Sequence, residues 1–144
     1  MRDLLKKLMY TPSVSGREDR VREVIYNEIK DYCDEISTDA MGNLIARKAG
    51  NGKKIMFCAH MDEIGFFATY ITGDGDIKVS PVGGINTLSA SHQCVVSESG
   101  VRGVLVPNSS KDKPKCEDMY IDIGAKNKKQ AEKSVCQVAW QLYL

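Results

Sequence analysis

The sequence predicts an α/β part over residues 1–65, made of two helices, a β-hairpin and a buried strand, followed by a small antiparallel β-barrel over residues 66–144. Three observations predict it. Apolar residues recur at helical spacing over the first thirty or so positions. The period changes from Glu35 onward to that of short strands. After Gly65 short apolar runs alternate with glycine turns, the pattern of a small barrel or sandwich.

Leu4, Leu5 and Leu8 give a short apolar stripe, so a first helix is expected to about Met9. Thr11-Pro12-Ser13 ends it, because proline disfavours a helical residue before it. Ser15-Gly16-Arg17-Glu18 has the serine-to-glutamate spacing of a capping box. Behind it Val21, Val24, Ile25, Ile29 and Tyr32 predict a second helix to about Cys33. Strands at 35–39 and 44–47 flank the Met41-Gly42-Asn43 turn as a hairpin. Residues 54–59 then read as a buried strand ending at His60, and in α/β sheets sites gather at such strand ends.

In the second part, strands are expected at 66–72, 76–80, 93–97, 101–106 and 119–123, with a polar loop over 107–115. Gly73-Asp74-Gly75, Val82-Gly83-Gly84 and Glu98-Ser99-Gly100 supply turns. Residues 89–92 read as loop. A short helix begins at Asn127, with Gln130 placed to complete its cap.

Composition narrows the classes. At 144 residues the chain can hold a real core, and its 42% hydrophobic and 27% charged residues are those of a soluble globular protein. A formal net charge of +1 makes no case for a nucleic acid or membrane partner. The N-terminus mixes charge into its apolar residues, unlike a signal peptide, so a cytoplasmic location is expected. Five widely spaced cysteines without a CxxC pair read as free, mostly buried thiols.

The chemistry concentrates in Ala59-His60-Met61-Asp62-Glu63-Ile64-Gly65. In an extended segment His60 and Asp62 project to the same side. The carboxylate can then orient the imidazole, as in metal-binding histidines. A hydrogen-bonded strand-end histidine would be the ordinary reading of His60 alone; Asp62 beside it favours metal ligation. Glu63 fits either a supporting group or a solvated acid. His92 reads as an exposed loop residue. Glu117, Asp118 and Asp122 read as a solvated strand edge before they read as metal ligands. A catalytic zinc takes three protein ligands, and His60 supplies one.

The run Cys58-Ala59-His60-Met61-Asp62-Glu63-Ile64-Gly65-Phe66 resembles the glutamyl and tetrahedral aminopeptidases, co-catalytic metallopeptidases of which some were once labelled endoglucanases. The resemblance takes in Thr11-Pro12-Ser13-Val14-Ser15-Gly16-Arg17-Glu18 and Asp39-Ala40-Met41-Gly42-Asn43-Leu44. It continues through Val82-Gly83-Gly84, Gly103-Val104-Leu105 and the segment from Glu117 to Ala125. It implies a metal-dependent aminopeptidase that removes N-terminal residues from peptides with two divalent ions, zinc or cobalt. His60 is then a metal ligand and Asp62 the catalytic carboxylate that tunes it. The barrel is implied to build homo-oligomers, dodecamers among them.

The same resemblance implies a chain about twice as long. The bridging aspartate, the general-base glutamate and the other ligands have no counterpart here, so this N-terminal fragment is expected to bind metal at most partially and to be inactive alone. The rival expectation is a non-catalytic assembly or binding module built on the barrel. Two stretches depart from the family pattern. Ser91-His92-Gln93-Cys94 stands where glycine-glutamine is usual, and the barrel is altered after about residue 135. The ending, from Cys136 to Leu144, fits a frameshifted or truncated reading frame, or a short apolar strand.

Overall fold

In α1 (Arg2–Met9) the leucines recur at helical spacing, and the helix stops where Thr11 turns its hydroxyl back to the Lys7 carbonyl at 2.6 Å. The computed structural model describes residues 1–108, 114–135 and 139–142. They fall into two compact units, Met1–Asp62 and Glu63–Leu144.

In the first unit α2 (Asp19–Ile29) tightens into a 3-10 turn, Lys30–Tyr32, before the expected end at Cys33. Lys7 Nζ donates to Glu28 Oε1 at 2.9 Å and ties α1 to α2. The expected capping box does not form. Glu18 is itself the N-cap, without a side-chain cap bond, and its Oε1 accepts from the Gly16 N–H at 2.6 Å. The cause is Gly16, whose φ of 84° turns the chain and carries the Ser15 hydroxyl elsewhere.

The hairpin is present. β1 (Glu35–Thr38) and β2 (Leu44–Arg47) pair antiparallel, with Thr38 opposite Leu44. Asp39 organises the turn between them. Its Oδ1 accepts from the N–H groups of Met41 and Asn43, both at 2.9 Å, and its Oδ2 from the Asn43 amide at 2.8 Å. The Asn43 side chain foremost, then these N–H groups, hold the Asp39 carboxyl below its ordinary value. Gly42 adopts φ 88°, and its carbonyl accepts from Arg22 on α2 at 3.2 Å.

The expected buried strand at 54–59 is absent. Residues 53–62 carry no strand, and Ile55, Met56 and Phe57 are 78%, 84% and 93% exposed. A strand exists only through its ladder, and no neighbouring strand pairs with this run among the described residues. His60 therefore does not sit at a strand end.

The second unit is a closed antiparallel barrel in the order β3-β4-β7-β6-β5-β8. Its strands are β3 (Gly65–Ile71), β4 (Ile77–Val82), β5 (Cys94–Ser97), β6 (Arg102–Pro107), β7 (Met119–Asp122) and β8 (Ala139–Leu142). Alternate residues fill the interior: Ile77 and Val79 from β4, Met119 and Ile121 from β7, with Phe66, Val95, Leu105 and Trp140. β8 pairs with both β3 and β5, setting Trp140 opposite Phe66 and Ser97. The short apolar strand expected among the last residues is present over Ala139–Leu142. Cys136 and most of the expected 107–115 loop lie outside the described residues.

α4 (Lys128–Ser134) starts as expected: the Asn127 side chain accepts from the Gln130 N–H at 2.9 Å. The Gln130 side chain reaches back to the Lys126 N–H, one residue earlier than a capping box requires. The expected loop near Ser89 is instead partly helix, α3 (Thr87–Ala90), capped by the Asn86 side chain. Its single turn is too short to leave a periodic signal. The thiols are less buried than expected. Cys58 and Cys94 are exposed, and Cys33 and Cys116 half-buried, all four free. Cys94 lies on a strand facing outward, next to the inward Val95.

His92 is exposed, as expected, and holds φ 62°, within the stretch that departs from the family's glycine-glutamine. Its N–H donates to the Leu105 carbonyl at 2.7 Å, which fixes the conformation. A side chain in this left-handed region is strained. His92→Gly should therefore stabilise the barrel by about 0.5–1 kcal/mol. The urea midpoint measures this, and a lower midpoint in the variant would show that the imidazole supports the barrel.

Candidate functional site

His60, Asp62 and Ser15 meet in the first unit. His60 Nδ1 lies 3.0 Å from the Asp62 backbone carbonyl and 3.1 Å from Asp62 Oδ1. Both partners only accept, so in the neutral ring Nδ1 carries the hydrogen and Nε2 keeps its lone pair. The His60 side chain is 87% exposed, leaving Nε2 open to a ligand. The two-residue spacing puts the pair on one side, as the sequence predicts, although the segment is irregular rather than a strand.

Asp62 is held at both oxygens. Oδ1 faces His60, and Oδ2 accepts from the Ser15 hydroxyl. The Ser15 hydrogen bond foremost, helped by the Asp62 N–H and by His60, keeps this carboxyl below its ordinary value despite the opposing effect of burial. A depressed carboxylate stays ionised throughout the neutral range, so Asp62 remains an acceptor for Nδ1–H there. His60 and Asp62 line a cleft of about 440 Å³, whose apolar wall includes Ile25, Ile29, Met41 and Leu44. That volume lies in the range of small-ligand sites.

The other predicted acidic candidates belong to the second unit. Glu63 opens the second unit and is half-buried, which pushes its carboxyl up. Asp118 closes a 3-10 turn, Cys116–Asp118, by accepting from the Lys115 N–H at 3.1 Å. Asp122 accepts from the Gly124 N–H at 2.7 Å. Glu117 is exposed. The acidic residues near β7 thus serve a turn and a strand end. Among the described residues no group of three or more His, Cys, Asp or Glu side chains could hold a metal ion. The donor chemistry fits one corner of a metal site: an oriented imidazole with a free Nε2. Ser15 is the residue that sequence reasoning missed, because its glutamate three positions on directed it to a helix cap.

The family profile of the M42 glutamyl aminopeptidases matches residues 42–141. The chain belongs to the M42 glutamyl aminopeptidase family. A protein of Acetivibrio thermocellus, named an aminopeptidase by inference, is 46% identical over 138 residues, which cover 94% of this chain and 42% of that one. The TET1 peptidase of Pyrococcus horikoshii superposes with a TM-score of 0.86 at 36% identity, covering 98% of this chain and 46% of its own. An endoglucanase-named structure from Thermotoga maritima gives 0.84, also at 36% identity, covering 94% and 43%. The family resemblance read from the sequence, endoglucanase label included, therefore holds. This M42 chain spans about 42% of the length of that curated relative. No helix among its described residues is long and apolar enough to cross a membrane.

Proposed function

We propose that this chain is the N-terminal portion of a cytoplasmic, metal-dependent M42 aminopeptidase, with residues 1–65 belonging to its α/β catalytic domain and 66–144 to a barrel used in homo-oligomer assembly. The contact of His60 Nδ1 with Asp62 carries the reading, since it presents Nε2 as a metal ligand. In the whole enzyme two divalent ions, zinc or cobalt, supply Lewis acidity toward the scissile carbonyl of a peptide and toward water. Within this chain His60 binds and Asp62 orients it and keeps its proton on Nδ1. The other ligands and the general base belong to the length that the relatives have beyond this chain. The P. horikoshii relative, which can assemble into a tetrahedron or a large octahedral shell, supports homo-oligomer assembly.

Alone, the chain is therefore inactive. Amino-acid anilides incubated with it and with zinc or cobalt should show no turnover above the metal blank. Turnover that disappears in His60→Ala would overturn the inactivity. The closed barrel, with its own core, favours a second reading as an assembly module. That reading expects a dimer on size exclusion that is unchanged by chelator and by His60→Ala.

A further inference from the structure

We infer that Ser15 is a positioning residue for the metal site: its hydroxyl fixes the plane of the Asp62 carboxylate, and through it the tautomer and aim of His60. The inference rests on the reading of His60 as a metal ligand. A carboxylate rotates broadly about its last torsion. At Asp62, whose side chain is 37% exposed, water competes for both oxygens. One contact to His60 leaves that rotation open, whereas a second donor on Oδ2 closes it. Ser15 is that donor, and a hydrogen bond to an ionised oxygen is among the stronger ones.

Ser15 is itself well held. It follows Ser13 and Val14, which are buried, and precedes Gly16 with its positive φ. The turn is closed by the Arg17 N–H on the Val14 carbonyl at 2.8 Å and by the Gly16 N–H on Glu18 at 2.6 Å. No helix uses the hydroxyl, because α2 is capped at Glu18 without it. A donor 47 residues from its acceptor in the chain, released from local duty and set in a rigid turn, is placed for Asp62.

The test uses the full chain labelled with 15N, in which only two histidines report, and His92→Gln identifies the other. The long-range 1H–15N spectrum should show His60 as the Nδ1–H tautomer in the wild type. The Asp62 backbone carbonyl still accepts from Nδ1 when the carboxylate turns away, so Ser15→Ala should move His60 part of the way toward a mixture of tautomers, and Ser15→Thr, which keeps the hydroxyl, should restore it. Titration with cobalt(II) alone, followed at the His60 resonances, should show roughly tenfold weaker binding in Ser15→Ala. An unchanged tautomer in a folded Ser15→Ala would overturn the inference. If the alanine variant fails to fold, Ser15→Cys, similar in size and a weaker donor, carries the same comparison. Absence of cobalt binding in the wild type would count against the metal-ligand reading, while the tautomer result still decides the role of Ser15.

Discussion

Trp140→Ala should cost the barrel about 3–5 kcal/mol. Trp140 is the only tryptophan and is fully buried, on the strand that joins β3 to β5 and so closes the ring. Truncation removes the largest buried side chain of that unit, and the ring backbone leaves the space little freedom to collapse. A domain has only about 5–15 kcal/mol of stability, so the variant should unfold at low urea. Far-UV circular dichroism follows this without needing the indole. Trp140→Phe should cost less, because the indole N–H has no hydrogen-bond partner among the described residues and phenylalanine buries none. A loss below about 1 kcal/mol for the alanine variant would mean that β8 contributes little to closure.

The second large effect is at Gly103 on β6. A Cβ built there would meet Ile121 Cγ2 at 2.5 Å, the Asp122 carbonyl oxygen at 2.9 Å and Ile123 Cγ2 at 3.0 Å. Ile121 is fully buried and the carbonyl belongs to the neighbouring strand, so neither can step aside cheaply. Gly103→Val should destabilise by about 2–3 kcal/mol through overpacking, and Gly103→Ala by less. Gly50, which has nothing within 4 Å of a built Cβ, provides the control: Gly50→Ala should stay within about 0.5 kcal/mol of the wild type. Equal urea midpoints for the Gly103 and Gly50 alanine variants would refute the close approach of β6 and β7.

Both residues show how unevenly the fold was legible. Gly103 stood in the sequence as part of a family motif, yet only the β6–β7 register reveals what a side chain would strike. The hairpin was legible because its turn is local: Asp39 closes it on residues two and four positions ahead. Most barrel strands were legible because alternation and glycine turns are local as well. The run Ile55-Met56-Phe57 misled, since its composition records a preference for burial and no neighbouring strand pairs with it among the described residues.

The site divides in the same way. His60 and Asp62 are two residues apart, so their contact is local even in an irregular segment, and the sequence by itself determined that contact and the lineage that goes with it. It also determined the turn at Asp39 and the period-two filling of the barrel. Only the tertiary structure decided that Ser15 serves Asp62 rather than the start of α2. It alone decided that β8 closes the ring and that the run before His60 stands exposed. The physical reason is common to all three. Spacing and propensity act over a few residues, whereas a hydrogen bond across 47 positions or a strand's partner exists only once the chain has folded back on itself.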